Sequence, residues 1–305
     1  MRPPILAILG PTATGKSTLG IELALRRSGE IVSCDSTAVY RGFDIGTDKV
    51  PVEQRRGIPH HLLDIVDPSD EYTAARYVDD ALAAIAAIYS RGRMPILVGG
   101  TGLYYRALTR GLFPGPGADA SMRARLEAIA ARRGVEWLHR MIQRVDPDSG
   151  RRILSRDLKR IVRALEVYFL TGTPLTDHFA ATVSPLANER IVAVALSPSF
   201  PMIAERAKKR VDAQFEQGLM DEIRGLLARG VPETARPFGG LVYRQALEML
   251  RGVRNEAETK ELIARENRRY ARRQLIWFRK EPNLVWFQSF GETPETLTAV
   301  DALLE

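Results

Sequence analysis

Residues Gly10-Pro-Thr-Ala-Thr-Gly15-Lys16-Ser17 sit between an apolar run at 5–9 and a stretch of helical periodicity at 16–27. The pattern is G-x-x-x-x-G-K-[ST], shared by many ATP-binding proteins, and it requires a strand to enter it and a helix to leave it. Its glycines let backbone N–H groups turn inward around phosphate oxygens, at the positive end of the helix dipole. Lys16 adds a cation for the terminal phosphates and Ser17 a hydroxyl for Mg²⁺. Gly10, Pro11, Thr12, Ala13, Thr14, Gly15, Lys16 and Ser17 therefore form the candidate phosphate or pyrophosphate site.

The surrounding pattern agrees. Apolar runs at 30–34 and 95–98 flank a helical stretch at 73–90, with a further short extended piece at 61–66. Fully apolar strands alternating with helices predict an α/β fold, a parallel sheet covered on both faces. After Phe113 the character changes. Pro114-Gly-Pro-Gly117 is a strong breaker, and helical segments follow at 121–133, 135–144 and 156–170. An apolar run returns at 191–196. Residues 114–188 are thus expected to be a helical insertion domain in a core built from 1–113 and 189–305. The rest of that core reads as helices at 200–217, 220–228, 244–250, 256–280 and 294–304, with a short strand at 284–287.

Composition narrows the class. With 45% hydrophobic and 27% charged residues, the chain has the make-up of a globular protein rather than a disordered or fibrous one. Cys34 is the only cysteine, which excludes an internal disulfide framework and any cysteine-cluster metal site. No apolar run approaches the roughly 18 residues that cross a bilayer, and the apolar stretch after Met1 is too short for a signal peptide. A cytoplasmic protein without a membrane partner is expected.

Forty-four Lys and Arg against 37 Asp and Glu leave a net charge of +7, a modest hint of an anionic partner. The placement of that charge is more telling. Lys260, Arg265, Arg268, Arg269, Arg272, Arg273, Arg279 and Lys280 interleave with Tyr270, Trp277 and Phe278. That composition fits either a solvated helix face or phosphate contacts with base stacking.

Two strand ends carry chemistry. Asp35 follows the apolar run at 30–34, at the edge where open α/β sheets bind ligands. It could serve as a general base or cap a following helix. Pro95-Ile-Leu-Val98 continues into Gly99-Gly-Thr-Gly102-Leu-Tyr104 with no acid to hold Mg²⁺ and an attacking water. The glycines and the Thr101 hydroxyl suit pyrophosphate contacts better than water activation.

Taken together, Gly-Pro-Thr-Ala-Thr-Gly-Lys-Ser at 10–17, Asp-Ser-Thr-Ala-Val-Tyr-Arg-Gly at 35–42, Ile-Pro-His-His-Leu-Leu-Asp at 58–64, Val-Gly-Gly-Thr-Gly-Leu-Tyr at 98–104, Arg-Ala-Leu-Glu-Val-Tyr at 163–168 and Arg-Gln-Leu-Ile-Trp-Phe-Arg at 273–279 resemble the tRNA dimethylallyltransferase family. The blocks fall in order through nearly the whole chain. The resemblance implies a fold like that of P-loop kinases, with a helical insertion domain gripping a tRNA anticodon stem-loop. It implies transfer of a dimethylallyl group from dimethylallyl pyrophosphate to N6 of the adenosine 3′ of the anticodon, in tRNAs reading codons that begin with U. Asp35 would be the general base. Lys16, Thr101, Arg210 and Mg²⁺ held through Ser17 would stabilise the leaving pyrophosphate. Arg210 matches the family only through its segment at 206–219; by spacing alone it reads as a helix-surface charge.

The resemblance also implies RNA contacts at Asp35, Ser36, Thr37, Ala38, Thr101 and Arg123, and along the block Lys159, Arg160, Ile161, Val162 and Arg163. A second block comprises Gly239, Gly240, Leu241, Val242, Tyr243 and Arg244, and the basic tail adds Arg272, Arg273, Gln274, Trp277 and Arg279. Ala38 and Lys159 stand where the family commonly has Gln, and Val242 where it commonly has Gly, which bears on individual base contacts and not on the phosphate chemistry. A monomer is expected.

Rival readings are a small-molecule kinase of related fold using ATP, a prenyltransferase acting on free adenine nucleotide, and an RNA-binding module with a vestigial phosphate loop. The helical insertion and basic tail count against the first two, and the intact Lys16, Ser17, Asp35 and Thr101 against the third. His60 and His61 read as packing or hydrogen-bonding residues, His139 and His178 as surface residues, Cys34 as a small buried side chain, and Met141, Met202 and Met220 as core filling.

Overall fold

The structure, a computed structural model, describes residues 2–113 and 115–305. Its packing divides it into two compact units, Met1–Leu108 with Asn188–Glu305, and Thr109–Ala187.

The first unit begins with β1 (Ile5–Leu9), α1 (Lys16–Arg27), β2 (Gly29–Cys34), β3 (His60–His61), α2 (Ala74–Ser90), β4 (Met94–Gly99) and α3 (Gly102–Arg110). All five residues of β1 are fully buried, as a strand must be when helices cover both faces of a parallel sheet. Leu6 pairs with Ile96 of β4 on one side and with Val192 on the other. The extended piece expected at 61–66 contracts to His60 and His61 beside Ile31 and Val32, while Val66 forms only an isolated bridge to Tyr40. Helix α3 was hidden in the sequence by the glycines that open it.

The second unit carries α4 (Ala120–Arg133), α5 (Val135–Val145), α6 (Pro147–Arg152), α7 (Leu158–Thr171) and α8 (Leu175–Ala180). Pro114, part of the predicted breaker, lies outside the described residues. Asp119 and Asp157 cap α4 and α7, each accepting a backbone N–H from the first turn. Leu126, Leu138, Ile142, Ile161 and Leu165 close a small core of their own. His139 belongs to that interior: it is buried, its Nε2 lies 2.9 Å from the Ile153 carbonyl oxygen, and the surface assignment is corrected.

The chain then returns to the first unit through β5 (Ile191–Leu196), α9 (Phe200–Glu216), α10 (Leu219–Ala228), α11 (Leu241–Leu250), α12 (Glu256–Phe278), β6 (Leu284–Phe287) and α13 (Pro294–Ala302). Six parallel strands run in the order β3-β2-β4-β1-β5-β6, so the α/β expectation holds. One face buries Leu6, Ile8, Ile31, Ile96 and Val194 against Leu19 and Leu23 of α1 and Val300 of α13. Each such side chain contributes roughly 1.5–3 kcal/mol on burial. Helix α11 starts three residues before the predicted 244, since Val242 and Tyr243 are buried against its neighbours. Met202 is 48% exposed and fills no core, contrary to the sequence reading. Among the described residues no helix is long and apolar enough to cross a membrane.

Candidate active site

Three strand ends converge. β1 delivers the loop at 10–15, β2 delivers Asp35, and β4, lying between those two strands, delivers the turn at 99–102. Gly10 has φ +135°, and a side chain there would strike the Leu196 carbonyl at 2.6 Å. Beyond it the loop folds on itself: Thr14 Oγ1 donates to the Pro11 carbonyl at 2.9 Å, and Lys16 Nζ to the same oxygen at 2.5 Å. The first turn of α1 follows this loop directly, and its leading N–H groups have no acceptor within the helix.

Burial, with Arg210 nearby, lowers the Lys16 pKa to about 7; Asp35 and Asp48 pull the other way. An enclosed, poorly solvated ammonium is poised to gain a strong anionic partner. The Ser17 hydroxyl is exposed at the start of α1 and makes no hydrogen bond among the described residues. A free hydroxyl beside the loop at 10–15 is of the kind that holds Mg²⁺, which keeps several waters and binds largely through substrate phosphates. No cluster of three or more His, Cys, Asp or Glu able to hold a metal occurs among the described residues.

Asp35 does not cap a helix. Its Oδ1 accepts from Thr37 N at 2.8 Å and from Thr37 Oγ1 at 2.6 Å, a local turn that fixes the carboxylate and leaves Oδ2 uncommitted. Thr101 Oγ1 accepts from Ser36 N at 3.0 Å, joining the ends of β2 and β4. This junction is tight, and a side chain on Gly99 would lie 2.1 Å from the Cys34 carbonyl oxygen. Cys34 is buried, and burial pushes its thiol up to about 12.

Arg210 reaches the same place from α9. Its Nη1 donates to Thr12 Oγ1 at 3.0 Å and to Asp48 Oδ2 at 2.9 Å. The guanidinium whose spacing read as a surface charge is therefore docked on the loop at 10–15.

A family model described as IPP transferase matches residues 38–281. The tRNA dimethylallyltransferase of Solibacter usitatus is 46% identical over 299 residues, covering 98% of this chain and 97% of that protein. The same-named protein of Geobacter metallireducens is 44% identical over 296 residues, covering 97% and 96%. The chain belongs to the IPP transferase family. It is an enzyme of the prenyltransferase class, as the resemblance implied. Among solved structures, the full-length tRNA isopentenylpyrophosphate transferase of Bacillus halodurans matches with a TM-score of 0.72 and 36% identity over 99% of this chain and 95% of that one. A eukaryotic dimethylallyltransferase acting on tRNA matches with a TM-score of 0.80 and 26% identity, covering 98% and 77%.

Within this member of the family, the residues expected at RNA divide into exposed and buried. Lys159, Arg160, Gly239, Arg244, Arg272, Arg273 and Arg279 are exposed, and the Arg273 guanidinium lies 5.6 Å from the Tyr270 ring centroid. Ser36, Thr37, Thr101, Gly240, Leu241 and Trp277 are half-buried, with the Arg106 guanidinium 4.4 Å from the Trp277 ring. Arg123 and Arg163 are also half-buried, both bound to Glu166.

Six of the residues expected at RNA have buried side chains. Ile161 and Val162 belong to the interior of the helical unit. Val242 is buried, as is Tyr243, whose hydroxyl donates to Glu222 at 2.6 Å. Gln274 is likewise buried, and its amide is already spent: the oxygen accepts from Thr12 N at 3.0 Å and the nitrogen donates to the Gly100 carbonyl at 2.9 Å. Ala38 is buried too and offers at most backbone atoms.

His60 and His61 do make hydrogen bonds, the latter to buried Glu30 at 2.7 Å. Sequence reasoning missed Asp48, Gln214 and the role of Gln274. No local pattern marks them, because each acts through a partner far away in the chain.

Proposed function

We propose that the chain transfers a dimethylallyl group from dimethylallyl pyrophosphate to N6 of the adenosine 3′ of the anticodon, in tRNAs that read codons beginning with U. The observation that carries this reading is the convergence of Lys16 and Arg210 on the loop at 10–17, with the Asp35 carboxylate fixed at the adjoining strand end.

The chemistry divides along that line. The exocyclic amine of adenine is a weak nucleophile, its lone pair delocalised into the ring. Its nitrogen forms a bond to the allylic carbon as the C–O bond to diphosphate breaks, the bonding electrons leave with the diphosphate, and the surplus N6 proton passes to Asp35. Thr37 holds one oxygen of that carboxylate in place, so the other can face the base. Charge accumulates on the departing diphosphate, and Lys16, the Nη2 and Nε groups of Arg210 and the first N–H groups of α1 would stabilise it. Mg²⁺ held through Ser17 would supply further neutralisation of the diphosphate oxygens.

An adenine in a loop can be splayed out to reach the half-buried Asp35 carboxylate, whereas a paired one cannot. The exposed arginines of α12 and Lys159 and Arg160 of the helical unit supply the phosphate contacts such an RNA needs.

Purified protein with Mg²⁺, radiolabelled dimethylallyl pyrophosphate and bulk tRNA tests the reading. Label in RNA is the expected result. Phosphorylated product from ATP and small acceptors, with unlabelled RNA, would replace it by a kinase.

A further inference from the structure

Arg210 is the group of the diphosphate site farthest in sequence from the loop it serves, and something must hold it there. The turn at 44–49 does so. Asp48 lies in the left-handed region, φ +55°, with its backbone N–H bonded to the Ile45 carbonyl at 3.1 Å. Three helices clamp the turn. Buried Gln214 of α9 donates to Asp48 Oδ1 at 3.0 Å and to the Ile45 carbonyl at 3.2 Å. Glu222 of α10 accepts from Asp44 N at 2.9 Å and Ile45 N at 2.8 Å, and the Tyr243 hydroxyl of α11 accepts from Gly46 N at 3.0 Å. Lys49 closes the turn on Asp44 at 2.7 Å and Asp64 at 2.5 Å.

A carboxylate fixed this firmly imposes an orientation on whatever it binds. Asp48 Oδ2 takes Arg210 Nη1 at 2.9 Å, and the same nitrogen reaches Thr12 Oγ1 at 3.0 Å. With Nη1 committed on both sides, the Nη2 and Nε edge has no hydrogen-bond partner among the described residues. We propose that Asp48 is a positioning residue for the transfer, holding Arg210 so that its free edge faces the diphosphate as the C–O bond breaks. This rests on the reading of the loop at 10–17 as the diphosphate site. In this role Asp48 acts through Arg210, while its charge also favours protonated Lys16.

That dependence on Arg210 makes the test decisive. Asn tolerates the left-handed backbone and keeps the shape of Asp while removing its charge, so Asp48→Asn isolates the ion pair. Single-turnover transfer and binding of inorganic diphosphate are measured on full-length wild type, Asp48→Asn, Arg210→Ala and the double variant. Asp48→Asn is expected to slow transfer about tenfold, a usual size for coupled charged neighbours, and to change diphosphate affinity by less than about twofold. Affinity is spared because removing a like charge offsets the looser arginine. In the Arg210→Ala background the same substitution should slow transfer by less than about twofold. Asp48→Gly, which also suits the backbone, should reproduce the pattern. Equal slowing in both backgrounds, or none in the first, overturns the positioning role. If Arg210→Ala alone alters neither diphosphate binding nor transfer, the diphosphate reading itself fails.

Discussion

Thr12 and Gln274, 262 residues apart in sequence, are joined by a 3.0 Å hydrogen bond from the Thr12 N–H to the Gln274 side-chain oxygen. The Gln274 nitrogen completes the bridge to the Gly100 carbonyl at 2.9 Å. One buried amide from the basic helix thus ties the loop at 10–15 to the turn that presents Thr101.

Replacing that amide with an isosteric apolar group should therefore act on the loop and not on RNA. Gln274→Met leaves a buried N–H and a buried carbonyl unpaired, at a cost of about 1–3 kcal/mol each. The expected result is a lower thermal midpoint and a raised KM for dimethylallyl pyrophosphate, with tRNA affinity unchanged. A selective loss of tRNA affinity in filter binding would return Gln274 to the RNA contacts.

The lowered pKa of Lys16, about 7 against 10.5 for a free lysine, makes a directional prediction. Between those values the unfolded chain binds more protons than the folded one, so stability rises with pH across that window. Lys16→Met should be more stable than wild type at pH 7, with the difference shrinking toward pH 10. Diphosphate restores the charge on Lys16, so binding at pH 8 should take up a proton. Calorimetry in buffers of different ionisation enthalpy reads that uptake; a binding enthalpy independent of buffer would count against it.

What the sequence revealed and what it concealed follow from range. The strand at 5–9, the glycine pattern at 10–17 and the helix after it are local, and periodicity with spacing sufficed to read them. Asp35 and Thr101 were legible as strand ends. Arg210 was legible only through resemblance, and Asp48 not at all, since they meet across 162 residues and a turn whose left-handed aspartate no local pattern announces. His139 and Met202 were misplaced because their burial depends on which face of a helix meets its neighbours. Helices at 147–152 and 175–180 are too short for a period to show.

Asp35→Ala should abolish detectable transfer while leaving tRNA affinity nearly intact. A positioned general base typically contributes about 10²–10⁴-fold, and the other carboxylate of the site, Asp48, is already bound to Arg210 and Gln214. Thr37→Val, which removes the 2.6 Å hydroxyl contact, should lower the single-turnover rate with little change in KM for either substrate, and Thr37→Ser should restore it. Parallel collapse of tRNA binding in Asp35→Ala would make Asp35 a recognition residue.

Glu166, fully buried in the helical unit, accepts from Arg123 at 2.8 Å, Arg163 at 2.7 Å and Asp119 N at 2.8 Å. Burial pushes its carboxyl up, but these donors more than offset it and hold the pKa below the usual carboxylate range. Its stabilising effect is therefore complete above the unfolded pKa and is lost as pH falls through the lower folded value. Glu166→Gln should destabilise the protein by about 3 kcal/mol at pH 7, as removing one partner of a buried ion pair does, and by progressively less in acid. Because Glu166 also fixes the two guanidiniums, the variant should weaken tRNA binding even at temperatures where it remains folded. Arg273→Ala provides the contrast. Its side chain is exposed and makes no ion pair among the described residues, so folding stability should be unchanged, while tRNA affinity falls and its dependence on salt flattens. An unaltered salt slope in Arg273→Ala would remove that arginine from the phosphate contacts. An unaltered tRNA affinity in folded Glu166→Gln would confine Glu166 to holding the helices together.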